Sequence, residues 1–435
     1  MKITIVGTGY QGLVTGTGLA EHGHQVACVD RNVDRIAMLQ EGRLPIHEPG
    51  LEELLVRNLE EERLSFTTDL EKAVADCLPV FLCVGTPANE DGSADLAEIC
   101  EAVRQIAAAM TGYRIIVNKS TCPPGTAATF ERILRENTEH AFDIVVNPDF
   151  LREGAAVDDF LRPDRIVVGC DEVRVREIMR ELYAPFLRTG RPFLAMSPVS
   201  AEMTKYATNV MLATRISLMN QLAEICDACG ADITAVREGV ASDDRIGPTY
   251  LFPGIGFGGS GLPKDLRACI AFGNSFACDC DLLEAVHHVN ERQIERFLAR
   301  ILSHYGDSLP GKRLALWGVS FKPRTDDVRG APALRLIERL RDAGASIVVY
   351  DPVAAPKIEK RFADGVRCVR KYYEALEGAH GLIIVTEWNE FRRPDYERMA
   401  ALMAEKVIFD GRNIYTPKVM REMGFKYFSV GRPAV

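Results

Sequence analysis

The sequence predicts an α/β protein built from two doubly wound parallel sheets, joined by a long central helix and a helical region. Apolar runs too continuous for half-exposed strands recur in the first and last thirds of the chain, with helix-forming segments between them. Between those thirds, SAEMTKYATNVMLATRISLMNQLAEICDACG runs from Ser200 to Gly230 without proline or internal glycine. At 435 residues there is chain for about three domains of roughly 150 residues each, expected over 1–198, 199–308 and 309–435.

In chain order, KITIV (2–6) is a short apolar strand ending at glycines, 13–22 suits a helix, and QVACVD (25–30) is a second buried strand. PVFLCVGTP (79–87), RIIVNKST (114–121), DIVVNP (143–148) and RIVVG (165–169) continue the sheet. The segment 200–230 reads as one helix about 45 Å long, apolar most of the way round and therefore buried between domains or subunits. KRLALWGVSF (312–321), SIVVYD (346–351), HGLIIVTEW (380–388) and KVIFDGRN (406–413) then repeat the strand character. They echo the first third: KITIVGTG is similar to RLALWGVS, QVACVD to SIVVYD, and VFLCVGTP to LIIVTEW.

A net charge of −9 supplies no field to draw in nucleic acid, although local Lys/Arg clusters can still hold one small anion. The N-terminus lacks the long apolar region of a signal peptide, and no stretch reaches the ~18 apolar residues of a membrane span. Twelve scattered cysteines fit free thiols in a reducing compartment, so a cytoplasmic protein is expected. Cys226/Cys229 and Cys278/Cys280 are the only close pairs, and no metal site is expected from them.

Gly7-Thr8-Gly9-Tyr10-Gln11-Gly12 follows a strand and opens a helix, and Asp30 ends the next strand 18 residues after Gly12. The first glycine permits the tight turn, the second lets a pyrophosphate approach the backbone, and the third allows close helix–strand packing. The helix N-terminus adds N–H donors and positive dipole. This is the order of a Rossmann-like dinucleotide site, with Asp30 accepting from an adenosine ribose and favouring NAD. Arg31 and Arg35 leave NADP open, since basic residues there could meet a 2′-phosphate.

Three further stretches are specific: Lys119–Thr126 (KSTCPPGT), Asn147–Gly154 (NPDFLREG) and Gly256–Asp265 (GFGGSGLPKD). With Lys205 and Asn209, and with HEPGL, VGTP, FKPRTDDVR and FDGRN, they make nearly the whole chain resemble the nucleotide-sugar 6-dehydrogenases (UDP-glucose/GDP-mannose dehydrogenases), on the UDP-glucose branch. The resemblance implies an N-terminal NAD domain, a central helix forming a homodimer core, and a C-terminal Rossmann-like domain for the UDP-sugar. It also implies two oxidations at sugar C6, the second through a thiohemiacetal and thioester on a catalytic cysteine.

By the same resemblance, Lys205, Asn209, Asp265 and Thr121 match catalytic positions. Lys205 would stabilise developing negative charge, Asn209 would orient an oxygen, and Asp265 would take up a proton. Gly7, Gly9, Tyr10, Gln11, Gly12, Asp30, Arg35, Thr86, Thr121, Lys264 and Arg329 would contact NAD. The substrate would meet Phe150, Leu151, Arg152 and Glu153 in a sugar-facing loop, Tyr250, Leu251 and Phe257 at the uracil and ribose, and Lys322 and Arg412 at the diphosphate or sugar, with Gly258 a further contact. Lys205 and Asn209 also count among its contacts, and Arg245 would reach the neighbouring subunit's substrate.

Two positions depart from the family. Gly261 stands where GGSC-x-x-KD has its nucleophilic cysteine, and Asp149 where NPEFL has glutamate. No side chain at Gly261 can form the covalent adduct, and Asp149 is one methylene short for activating water. A deliberate inactivation would ordinarily use Ser or Ala at 261 and would leave Asp149 unexplained. Cys122 is a substitute nucleophile only if it shares a face with Thr121, which strand alternation opposes. Three readings follow: an enzyme stopping at the 6-aldehyde, the full four-electron enzyme, or a non-catalytic nucleotide-sugar binder.

Overall fold

The computed structural model describes residues 1–188, 190–306, 309–362 and 365–435. The chain separates into two compact units, Met1–Thr208 and Asn209–Val435. The expected boundary at 308 falls outside the described residues.

The first unit holds eight strands: β1 (Lys2–Val6), β2 (Gln25–Val29), β3 (Leu64–Thr67), β4 (Pro79–Leu82), β5 (Arg114–Asn118), β6 (Phe142–Val146), β7 (Ile166–Gly169) and β8 (Phe193–Met196). Their order is β3-β2-β1-β4-β5-β6-β7-β8. Every pairing is parallel except β6 with β7, which meet antiparallel at Val146 and Gly169. Strand alternation explains the apolar runs. Ile115 and Val117 pack into one core and Ile116 into the other, as do Phe81 against Val80 and Leu82. Both faces are covered, so the strands need apolar residues at every position. The order reverses beside β1, which opens a crevice at the carboxyl ends of β1 and β4.

The second unit carries β9 (Arg313–Trp317), β10 (Ser346–Tyr350), β11 (Val366–Cys368), β12 (Gly381–Ile384), β13 (Val407–Asp410) and β14 (Lys426–Ser429). Their order, β11-β10-β9-β12-β13-β14, reproduces the first six strands of the other sheet, and all pairings are parallel. The echo between the two ends of the sequence is therefore an echo of topology. It extends to the first turn. Gly7 N–H donates to Val29 O at 2.8 Å and Gly318 N–H to Tyr350 O at 2.8 Å. Both glycines are left-handed, with φ of +100° and +83°.

The long helix spans Pro198–Cys229, close to the expected 200–230. Its expected all-round burial is not what the chain provides. Ala201, Tyr206, Ala213, Met219, Ala223 and Cys226 are buried, but Met211, Leu218 and Ile225 are 62%, 53% and 56% exposed. These three recur every seven residues and form a stripe along one face. Among the described residues, no helix is long and apolar enough to cross a membrane.

One carboxylate fixes the start of this helix within the first unit. Buried Glu202 accepts from Gly125 N–H at 2.6 Å and Ala127 N–H at 2.8 Å, at the N-terminus of helix Thr126–Asn137. Burial pushes its carboxyl up to about 7, against the pull of those N–H groups. Glu202→Ala should strand buried donors and cost about 1–3 kcal/mol, a fall in Tm of roughly 2–4 °C per kcal/mol. Between 4.5 and about 7 the folded chain holds a proton that the unfolded chain releases. The contribution of Glu202 therefore declines as pH rises through that window. Thermal melts at about pH 5 and about pH 8 should show a wider gap between parent and variant at the lower pH.

Candidate active site

The glycine turn after β1 is built for close approach. A Cβ at Gly7 would stand 2.5 Å from the Cys83 carbonyl oxygen, and one at Gly12 would drive into the Gly7 carbonyl. A Cβ at Gly9 would meet nothing within 4 Å. The first and third glycines are thus demanded by the chain itself, and the second keeps a surface open. No side chain caps helix Tyr10–Glu21 at Gly9, so its first N–H groups remain for an anion. The cradle fits a dinucleotide pyrophosphate.

Asp30 Oδ2 accepts from Thr8 N–H at 2.9 Å and Thr8 Oγ1 at 2.8 Å, and Oδ1 from Asn32 N–H at 3.0 Å. Burial opposes its charge, but these bonds and Arg35 prevail and hold the carboxyl below its usual range. Arg35 Nη1 lies 3.2 Å from Asp30, and Arg31 pairs with Glu98 at 2.6 Å. Both basic residues that left NADP open are engaged with carboxylates. In the adjoining loops, Thr86 Oγ1 donates to Thr121 O at 2.7 Å. Cys122 packs beneath the sheet with Val6, Leu82 and Ile99, away from the loop surface.

Asp149 gathers three of the expected residues. Its Oδ1 accepts from Lys205 Nζ at 3.3 Å and Leu151 N–H at 3.2 Å, and its Oδ2 accepts from Gln11 Nε2. Gln11 also donates to Lys119 O at 2.6 Å. The Phe150 ring lies under Arg165, 3.6 Å from its centroid, and 5.6 Å from Lys205 Nζ. Arg152 turns back to Asp159 at 2.5 Å, with its side chain more than half exposed. Sequence reasoning assigned no role to Lys119 or Glu48. Lys119 is buried, donates to Asn147 Oδ1 at 3.2 Å, and has its ammonium pKa lowered by burial despite nearby Asp149. Glu48 is buried against Tyr10, Gly154 and Ala156. Their presence inside KSTCPPGT and HEPGL was the available signal.

In the second unit, Asp265 Oδ2 accepts from Asn209 Nδ2 at 2.5 Å, and Oδ1 pairs with Lys264 Nζ at 2.7 Å. Asp265 is buried, and its side chain goes to these partners instead of capping its own helix, Leu262–Ser275. Asn209 and Lys205 lie one turn apart on the long helix and share a face. Gly261 precedes the Asp265 helix with φ −95°, and a Cβ there would meet nothing within 4 Å. Its neighbours differ: Gly259 is left-handed at +88°, and a Cβ at Gly258 would enter the Gly330 backbone. Nothing in the backbone requires glycine at 261, and a thiol there would sit at a helix N-terminus, where thiolate is favoured.

The 250–257 loop is pinned by amides. Asn220 Oδ1 accepts from Gly254 N–H, Gln293 donates to Gly254 O, and Asn290 exchanges two bonds with Phe257. Leu251 and Phe257 are buried, and Tyr250 is left-handed at φ +60°. Arg412 donates to Val385 O at 2.7 Å and reaches Gly256 O at 3.4 Å, with Glu387 at 3.3 Å. Lys322 Nζ lies 5.6 Å from the Phe321 ring centroid, and Arg329 forks onto Asp327. Arg245 stands apart, 88% exposed and paired with Asp243. Asp351, the counterpart of Asp30, accepts from Val319, Ser320, Val353 and Ala354 N–H and from Trp388 Nε1. That carboxylate is saturated by its own chain.

Comparison with known proteins agrees with this architecture. Residues 1–187, 199–292 and 315–417 match the NAD binding, central and UDP binding domains of the UDP-glucose/GDP-mannose dehydrogenase family. A UDP-glucose 6-dehydrogenase of Pseudomonas aeruginosa is 44% identical, over 100% of this chain and 98% of that one. A UDP-glucose dehydrogenase structure from Pyrobaculum islandicum superposes with a TM-score of 0.92 at 37% identity, covering 99% and 98% of the two chains. A UDP-D-ManNAc dehydrogenase from Pyrococcus horikoshii gives 0.87 at 26% identity, with 99% of each covered. The chain belongs to the UDP-glucose/GDP-mannose dehydrogenase family, as an NAD-dependent oxidoreductase of CH–OH groups.

Proposed function

We propose that this dehydrogenase oxidises C6 of UDP-glucose or a close relative and stops at the aldehyde. The carrying observation is that Lys205 pairs with Asp149 and Asn209 with Asp265, while position 261 offers no nucleophile. Gly7–Gly12, Asp30 and Thr86, with Thr121, Lys264 and Arg329 as further contacts, would hold NAD, which would supply the hydride acceptor for C6. Lys205 and Asn209, on one helix face, stabilise the oxygen as its proton leaves. Asp265, which holds the Asn209 amide, receives that proton directly or through water. The UDP-sugar is held by Phe150–Glu153, Tyr250, Leu251, Phe257, Gly258, Lys322 and Arg412. Arg245, exposed on its turn, serves the partner copy. A second oxidation would need a tetrahedral adduct at C6, which must form by hydration without a thiolate. Asp149 has its carboxylate committed to Lys205 and Gln11.

We further propose the three-part division 1–198, 199–308 and 309–435, supported by the three matched family segments. A reducing cytoplasmic setting is supported by the scatter of twelve cysteines along a long chain. A homodimer is supported by the Met211, Leu218 and Ile225 stripe, which leaves an apolar face on the long helix without a covering in the single chain.

Mixing the protein with NAD and UDP-glucose should give one equivalent of reduced cofactor per sugar and an aldehyde trapped by hydroxylamine, identified by mass. Gly261→Cys should raise acid formation, more so with Asp149→Glu, and Lys205→Ala should slow the first step by about a hundredfold or more. Two equivalents and a uronic acid formed at the rate of the first step would refute the aldehyde reading. Asp30→Ala should weaken NAD binding by about tenfold and narrow its margin over NADP, checked by titration of both. Tighter NADP than NAD binding by the parent would overturn that assignment. Light scattering should give a dimer mass, and Leu218→Asp should shift it toward monomer.

A further inference from the structure

Glu48 lies in the loop before helix Leu51–Glu60 and is 4% exposed. Its Oε2 accepts from the Tyr10 hydroxyl and from Gly154 N–H at 2.6 Å, and Oε1 accepts from Ala156 N–H at 2.8 Å. Gly154 N–H also reaches the Tyr10 hydroxyl at 3.2 Å. Tyr10 is the first residue of the helix that opens at the glycine turn, and the next residue, Gln11, donates to Asp149. Two consecutive residues of that turn therefore hold the same segment, 149–156: Gln11 directly, and Tyr10 both directly at Gly154 and through a buried carboxylate. Gly154 is left-handed at φ +80°, a conformation glycine adopts readily, and these bonds fix its N–H in that turn. Burial and the adjoining Glu48 carboxylate push the Tyr10 phenol far up, which keeps it a donor at any working pH.

We propose that Glu48 is a positioning residue that couples dinucleotide binding at the glycine turn to the geometry of the sugar-facing segment 149–156. Anything that settles on Gly9 orders Tyr10 and Gln11, and the Tyr10–Glu48–Gly154/Ala156 chain carries that order to Asp149–Glu153. Coupling of this kind is reciprocal: NAD tightens the sugar by the factor with which the sugar tightens NAD. The proposal rests on the placement of the sugar at Phe150–Glu153 given above. Its core, the link between turn and segment, is testable without any sugar.

Amide hydrogen exchange of the 150–158 segment, read with and without NAD, tests that link. NAD should slow exchange at Gly154 and Ala156 by about tenfold in the parent chain and should have no such effect in Glu48→Gln or Tyr10→Phe. Glu48→Gln keeps the shape but presents an amide donor to groups that need an acceptor. Tyr10→Phe removes only the phenol and carries the test if the Glu48 variant does not fold. Kinetics supply the second readout. The affinity for UDP-glucose should rise about tenfold with NAD in the parent, and that gain should vanish in Glu48→Gln at NAD concentrations that titration shows to saturate the variant. Unchanged NAD-dependent protection in both folded variants, or no protection in the parent, would overturn the proposal. Protection lost in the variants with UDP-glucose affinity unaltered would uphold the link and refute the sugar placement instead.

Discussion

One hydrogen bond at the end of the first strand organises each half of this protein. Gly7 donates to Val29 from a left-handed backbone, and the chain turns sharply enough for the next helix to begin at Tyr10. The turn leaves the helix N-terminus pointing out of the sheet, at the place where strand order reverses. Asp30 then finds Thr8 within reach, Gln11 finds Asp149, and Tyr10 finds Glu48. A side chain at Gly7 would collide with Cys83, so every later contact depends on that position staying bare.

The second sheet shows what the same turn becomes with different neighbours. Gly318 repeats the bond and the dihedral, and Asp351 repeats the acidic strand end. Asp351, however, is 3% exposed and takes four backbone N–H groups and the Trp388 indole. Asp30 meets fewer donors and stays partly open. An acid with its lone pairs already used cannot accept from a ribose. The two halves thus share a topology and differ in recognition because of a handful of local donors.

The central strands of both sheets were legible because two covered faces demand uninterrupted apolar runs. The strands Leu64–Thr67, Phe193–Met196, Val366–Cys368 and Lys426–Ser429 were not, because all four are sheet edges, short and partly exposed. The glycine turn was legible from spacing alone. The pairing of Asp149 with Gln11 and Lys205 was not, since the partners lie 138 and 56 residues away. The exposed stripe on the long helix was hidden for another reason: an apolar composition is the same whether a face packs inside its own chain or against another.

Gly261 also bears on the balance between folded and unfolded chains. With φ −95° and open space where a Cβ would point, the backbone at this site accepts a Cβ without strain. Glycine there leaves the unfolded chain more conformations to lose, and replacing such a glycine typically stabilises a protein by about 0.4–1 kcal/mol. The fold therefore forgoes stability at this residue, unlike at Gly7, Gly12 or Gly258, where the backbone has no alternative.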